Sequence, residues 1–247
     1  MPERSVAATL AAIIGVLAIA AVALGVLGIQ VGAFSPFAGF RIFGLGLVPG
    51  TLLALVFGGV GLFQTRAGTG RAGRGRAWLG TAIGAAQLAF LVGFGAQNAG
   101  VPTIHDITTD LDDPPAFSDA LREQRRDHNG VDYPDGGAGV PEAQRAAYPD
   151  LAPIELEVAP EIAFERARRS VEALGWTLTR VDPDGGRLEA YDVTRIFGFV
   201  DDVVIRVRPR GSGSVVDVRS SSRVGRGDIG ANAARIRRFR DTLRAAG

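Results

Sequence analysis

Cysteine and lysine are both missing from this 247-residue chain. Without cysteine there is no disulfide, no thiol nucleophile and no thiolate zinc site, and the redox compartment stays open. Without lysine, a P-loop lysine, a Schiff-base lysine and a Ser-x-x-Lys site are all excluded. The use of arginine alone fits a bias toward Ala, Gly and Arg codons. Only two histidines are present, His105 and His128, too few for a multi-histidine metal centre. Acid is almost absent from the first 97 residues, where Glu3 faces six arginines: Arg4, Arg41, Arg66, Arg71, Arg74 and Arg76. That portion carries +5, and the chain total of +1 leaves −4 for Asn98–Gly247. An acidic remainder argues against nucleic-acid binding, which needs a basic surface to neutralise phosphate.

Long apolar runs are present instead. Three segments reach the length of about 20 residues that a spanning helix needs: Val6–Ile29, Ile42–Phe63 and Trp78–Ala96. Short loops between them predict an antiparallel bundle. The first run resembles a secretory signal at Ala18-Ile19-Ala20 and Ala21-Val22-Ala23, but it exceeds the usual apolar core of about 7–15 residues. Cleavage there stays open as an alternative. Loop Gln64–Ala77 holds four arginines and no acid. The positive-inside rule therefore puts that loop and the N-terminus in the cytoplasm and everything after Gln97 outside it. The expectation is a multi-pass protein of the cell (inner) membrane whose C-terminal part is periplasmic or otherwise extracytoplasmic.

Glycine pairs four residues apart (Gly28 and Gly32, Gly46 and Gly50, Gly80 and Gly84) let helix backbones approach closely. A chain with 34 glycines also yields such spacings by chance. Pro49 is expected to kink the second helix. No ionisable side chain falls inside the three spans, which argues against an ion or transport path and for anchoring in the lipid bilayer or lateral assembly.

From Asn98 to Pro153 the chain is acidic and punctuated by proline, and it reads as an extended strap with one short helix near Phe117–Arg126. Globular patterning begins at Ile154. Ile154–Val158 alternates as a strand, and Pro160 opens a helix with Phe164, Ala167, Val171 and Leu174 on one face. Gly175 is placed to end that helix. Strands are predicted at Trp176–Val181, Arg187–Phe197, Val203–Arg208 and Val215–Ser221, with turns at Asp182–Gly186 and Pro209–Gly213. A last helix over Ile229–Arg244 is expected to present Ile229, Ala233, Ile236, Phe239 or Arg240, and Leu243 on one face. The fold class is α+β: a three-helix membrane region (1–97), a strap (98–153), and an antiparallel sheet with helices packed on one face (154–247). The opposite sheet face is expected to expose Arg206, Arg208, Asp217 and Arg219.

Candidate chemistry is sparse. Arg223 and Arg226 lie beside a helix start, where backbone N–H groups favour anions. Asp228 in the same stretch reads more simply as a helix cap, and its charge opposes an anionic ligand. His105, Asp106 and Asp110 form a second group after the third span. The spacing of Asp110, Asp112 and Asp113 fits no calcium loop, so no metal is expected, and local turn bonding is the simpler role. Arg235, Arg237, Arg238, Arg240 and Arg244 on the last helix read as a solvated face, or as a surface for anionic lipid.

The stretches Ile104–Phe117, Tyr148-Pro149, Phe197–Asp202 and Ser222–Ile236 together resemble the domain-of-unknown-function 1499 family over about Gly100–Leu243. The resemblance implies that strap and helix-entry loop belong to one domain. It transfers no catalytic residue. The expected function is a membrane-anchored binding or interaction module of the cell envelope, with an envelope protein or an anionic small ligand as partner and no cofactor. One alternative is an extracytoplasmic hydrolase-like enzyme using the acidic strap with Arg223 or Arg226. A second is a transport accessory subunit.

Overall fold

The computed structural model describes residues 3–134 and 136–246. The chain divides into two compact units. The first holds the residues up to Ala99 together with Arg195–Gly198, and the second holds Gly100–Thr194 and Phe199 onward.

Three helices build the first unit: α1 (Val6–Gln30), α2 (Pro36–Gln64) and α3 (Arg74–Gln97). Each is long and apolar enough to cross a membrane. Ser5 and Ser35 cap α1 and α2, accepting from the Ala8 and Ala38 amides. Helix α2 starts six residues before the apolar run suggested, because Pro36 suits a first turn, and it continues through Pro49. The packing is inverted relative to a water-soluble bundle. Small residues such as Ala8, Ala11, Ala18, Ala54 and Ala77 are buried, while Leu17, Leu24, Leu45, Val56 and Phe90 point outward. Lipid tails are as apolar as leucine, so close backbone contact, not burial of large side chains, holds such helices together. A Cβ added at Gly46 would lie 2.6 Å from the Ala18 carbonyl oxygen, and one at Gly80 2.4 Å from that of Ala11. The spaced glycines at Gly46, Gly50, Gly80 and Gly84 thus serve contacts within the bundle. The few polar groups inside find partners, as Thr51 does with the Leu47 carbonyl on its own helix and with Gln87 on α3.

One end of this unit joins the N-terminus to the α2–α3 loop. The Ser5 amide donates to the Ala72 carbonyl and the Ala72 amide to that of Glu3. Arg71 pairs with Glu3 at 3.3 Å. At the other end Gln30 donates to the carbonyls of Arg195 and Ile196, and the Phe197 ring stands edge-on to Phe40 and Phe43.

The second unit is a six-stranded antiparallel sheet with two long helices. Its strands are β1 (Asp106–Thr108), β2 (Ile154–Leu156), β3 (Thr177–Asp182), β4 (Arg187–Val193), β5 (Val200–Arg210) and β6 (Gly213–Ser222). The order is β1-β6-β5-β4-β3, with β2 also on β6. β1 lies beside Arg219–Ser221 and β2 beside Ser214–Val216, so both extend along one side of β6. The short helices α4 (Asp119–Gln124) and α5 (Val140–Ala147) precede the sheet's main strands. The proline-punctuated strap reading gives no place for α5, yet Pro141 sits at a first-turn position where no backbone donor is lost.

Helices α6 (Pro160–Ala173) and α7 (Ala231–Ala245) pack on one sheet face. Phe164, Val171, Ile236, Phe239 and Leu243 meet Leu188, Val203, Ile205, Val216 and Val218 there. Gly175, at φ +73°, turns the chain out of α6 as expected.

The opposite face corrects the sequence reading. Arg206, Asp217 and Arg219 are buried there, and only Arg208 is partly open. The chain around α4 covers this face, with Phe117, Leu121 and Val131 closing on Val204 in a small second core. Charged side chains are tolerated under that cover because each finds an oppositely charged partner.

Candidate functional site

The charges buried on the covered face and beneath α7 form three groups. Register explains their make-up. On β5 and β6, Asp202 lies opposite Ser221, Val204 opposite Arg219 and Arg206 opposite Asp217. All six therefore share the covered face.

The first group centres on Asp106 and Arg219. The Asp106 carboxylate accepts from Arg219 Nε at 2.9 Å and Nη2 at 2.7 Å. Further Arg219 donors reach the carbonyls of Pro115 and Val131, and its guanidinium lies near the rings of Phe117 and Tyr133. One strand over, Asp202 accepts from Arg223 Nε at 2.9 Å and Nη2 at 2.8 Å. This hydrogen bonding raises the Arg223 pKa. Arg125 stands 3.6 Å from Asp202 and donates to the Ser222 carbonyl. Burial lowers the pKa of Arg125 against the pull of Asp202 and Asp106. Burial also pushes the Tyr133 hydroxyl up to about 12. Arg125 Nη1, Ser221 Oγ and Tyr133 Oη are buried without a hydrogen-bond partner among the described residues. They are the part of this group with bonding capacity left over.

In the second group, Arg206 and Arg208 both donate to Asp217 Oδ2 through Nε and Nη2, at 2.8–3.2 Å. The same two arginines reach Asp110, and Arg206 Nη1 meets Asp113 at 2.9 Å. Asp110 Oδ1 also accepts from the amides of Asp112 and Asp113, which fixes the turn. The acidic strap is thus neutralised by the sheet it covers. A cleft of about 340 Å³ beside Asp110, Pro153 and Arg208 adjoins this group. A second cleft, of about 620 Å³, shares Arg208 and Pro209 and runs past Glu161 and Asp184.

The third group lies under α7. Arg235 donates to Asp192 at 2.9 Å, Asp201 at 2.7 Å and Asn232 Oδ1 at 2.6 Å. Asn232 in turn donates to the His105 carbonyl and to Ser222 Oγ. Arg235 is buried, which corrects its assignment to a solvated or lipid-facing surface. It lies one turn from Asn232 on the inner side of α7, beside Ile236 and Phe239. Arg237 and Arg240 are instead more open and pair with Asp150.

Asp228 acts as a cap from just outside the helix. Its Oδ1 accepts from the Gly230 amide at 2.8 Å and its Oδ2 from the Asn232 amide at 2.7 Å, while Gly230 holds the formal N-cap place. Burial raises the Asp228 pKa, and the amide bonds oppose that rise.

The structure therefore brings Asp106 and Arg223 into one polar layer through Asp202, Ser221 and Arg125. Asp110 stands with the second group. His105 Nδ1 lies 3.4 Å from the Arg226 carbonyl oxygen, a long contact for a hydrogen bond. The Arg226 side chain is exposed. Among the described residues no three His, Asp or Glu are grouped to hold a metal ion. Sequence reasoning missed Arg125, Asp192, Asp201, Asp202 and Asn232. Their available signal was the Asp201-Asp202 pair just ahead of the apolar run Val203–Ile205, where charge survives only if paired.

A protein-family model described as a protein of unknown function (DUF1499) matches residues 106–243, more than half of the chain. No curated protein matches the chain.

Proposed function

The chain belongs to the DUF1499 family, and from that premise we propose that it is a membrane-anchored binding module of the cell envelope. Its second unit works outside the cytoplasm. The observation that carries the reading is that the candidate carboxylates are already engaged. Asp106 is held by Arg219, Asp110 by Arg206 and Arg208, Asp202 by Arg223, and Asp228 by two amides. A general acid or base needs a carboxyl free to exchange its proton with substrate. Recognition by the surface around fixed charges needs no such freedom. The placement is supported by the bundle's charge asymmetry. The N-terminus and the arginine loop share one end, and positively charged ends face the cytoplasm.

Crosslinking of the full-length protein in intact cells, with a reporter fused after Gly247, tests both halves. A defined partner crosslinked to the second unit and an extracytoplasmic reporter signal are expected. A cytoplasmic reporter signal overturns the placement. A phenotype lost on Asp106→Ala and Arg223→Ala without loss of stability overturns the binding reading in favour of a hydrolase.

A further inference from the structure

The arginine-bearing end of the first unit has a composition that anchoring alone does not require. Arg4, Arg66, Arg71, Arg74 and Arg76 are all exposed there. Glu3, paired with Arg71, is the only acid in the first 97 residues. The other four arginines have no carboxylate partner among the described residues. They adjoin apolar surface: Arg66 lies 4.0 Å over the ring of Phe63, and Phe63 and Trp78 point outward. Aromatic rings in that position sit at headgroup level. The first turn of α3 sharpens the point. It has no acid and no side-chain cap, and it carries Arg74 and Arg76. Cations at a helix N-terminus oppose the helix dipole, and a neighbouring anion removes that conflict.

We propose that this end binds the phosphate headgroups of anionic phospholipids, so that the bundle keeps an anionic lipid annulus on its arginine side. The inference rests on the reading that the three helices span a bilayer. Apart from Arg71, these arginines are not tied to an internal carboxylate among the described residues. Arg74 makes one long bond, 3.4 Å, to the Thr65 carbonyl, and Arg76 one to Thr9 Oγ1 at 3.4 Å. Their charge is therefore available to a headgroup. The clasp between Glu3, Ser5 and Ala72 fixes the backbone that presents them.

The test reconstitutes the full-length protein in nanodiscs of mixed phosphatidylglycerol and phosphatidylcholine and counts retained lipids by native mass spectrometry. Selective retention of phosphatidylglycerol is expected, weakening as salt rises. Each neutralised arginine should reduce the preference roughly fivefold. Arg4→Gln, Arg66→Gln, Arg74→Gln and Arg76→Gln together should abolish it, while the matching lysine variant keeps it. Equal retention of both lipids by inserted protein overturns the proposal, as does a preference indifferent to salt. The salt series needs no variant, so a misfolded substitution leaves the proposal testable. Displacement of lipid by millimolar inorganic phosphate at constant ionic strength overturns the lipid assignment. Failure to insert into nanodiscs overturns the spanning reading instead, which separates the two.

Discussion

Asp106 and Arg219 form a two-pronged ion pair across β1 and β6, with both side chains almost fully enclosed. Asp106→Asn keeps the shape of that contact and removes the charge, leaving the guanidinium uncompensated. Breaking such a pair from one side costs about 3–5 kcal/mol, a large share of the roughly 5–15 kcal/mol that holds a domain together. Urea unfolding of the full-length protein in micelles checks this. Trp176 is the reporter, buried against Phe239, in a Trp78→Phe background. The double variant Asp106→Leu, Arg219→Met is expected to recover most of the loss. No recovery would show that Arg219 is needed for its carbonyl bonds, not for its charge.

Arg235 bridges two like charges. Asp192 and Asp201 are cross-strand partners on β4 and β5, a placement that repels unless a cation lies between them. Arg235→Met removes the bridge, and a loss of about 3 kcal/mol or more is expected. Arg235→Lys should recover little, since one ammonium cannot reproduce a planar fork aimed at Asp192, Asp201, Asn232 and Ser220. Adding Asp201→Asn to Arg235→Met should restore part of the stability by removing the repulsion. The same tryptophan-monitored unfolding decides it, and an Arg235→Lys protein as stable as the parent would sink the argument.

These two pairs mark where the sequence is legible and where it is not. The three helices follow from length and composition, since a bilayer demands about 20 apolar residues and little else. The strands and turns of the second unit follow from alternation and from Asp182–Gly186 and Pro209–Gly213. Alternation also groups Arg206, Asp217 and Arg219 on one face, and it stops there. Whether that face meets water depends on Phe117, Leu121 and Val131, far off in sequence. The acceptors for Arg219 include backbone carbonyls of Pro115 and Val131, and no side-chain pattern reveals those. Arg235 hides among the other arginines of α7, and only its one-turn spacing from Asn232 and its place beside Ile236 distinguish it.

Glycines in the bundle divide by what surrounds them. A Cβ at Gly80 would fall 2.4 Å from the backbone of Ala11, whereas at Gly93 nothing lies within 4 Å. Gly80→Ala must push α1 and α3 apart, and overpacking of that kind costs about 1–3 kcal/mol. Gly93→Ala meets no neighbour and gains helix propensity. Thermal unfolding of each full-length variant in micelles, followed by helical circular dichroism, should show a clear loss for Gly80→Ala and none for Gly93→Ala. Equal effects would mean that the close approach of α1 and α3 contributes nothing to bundle stability.

Acid should act in opposite senses on Asp150 and Asp228. The Arg237 hydrogen bonds hold Asp150 down at about 2, below its ordinary 3.8. Between those values the unfolded chain binds the extra proton. The stabilisation from this pair is therefore present above about pH 4 and lost as pH falls through about 2. Asp150 is partly open to solvent, so the effect stays in the range of a surface pair, at most about 1 kcal/mol. Asp228 runs the other way. Burial raises its pKa above 3.8, so the folded state holds the proton to higher pH, and this group's contribution declines as pH rises through the raised value. Carbon-detected NMR titration of the full-length protein, with labelled aspartate, should find one carboxyl titrating near 2 and another above 3.8. Arg237→Gln should return the first toward 3.8 and leave the second in place. Two midpoints that both sit at 3.8 would refute the Arg237 contact and the burial of Asp228 together.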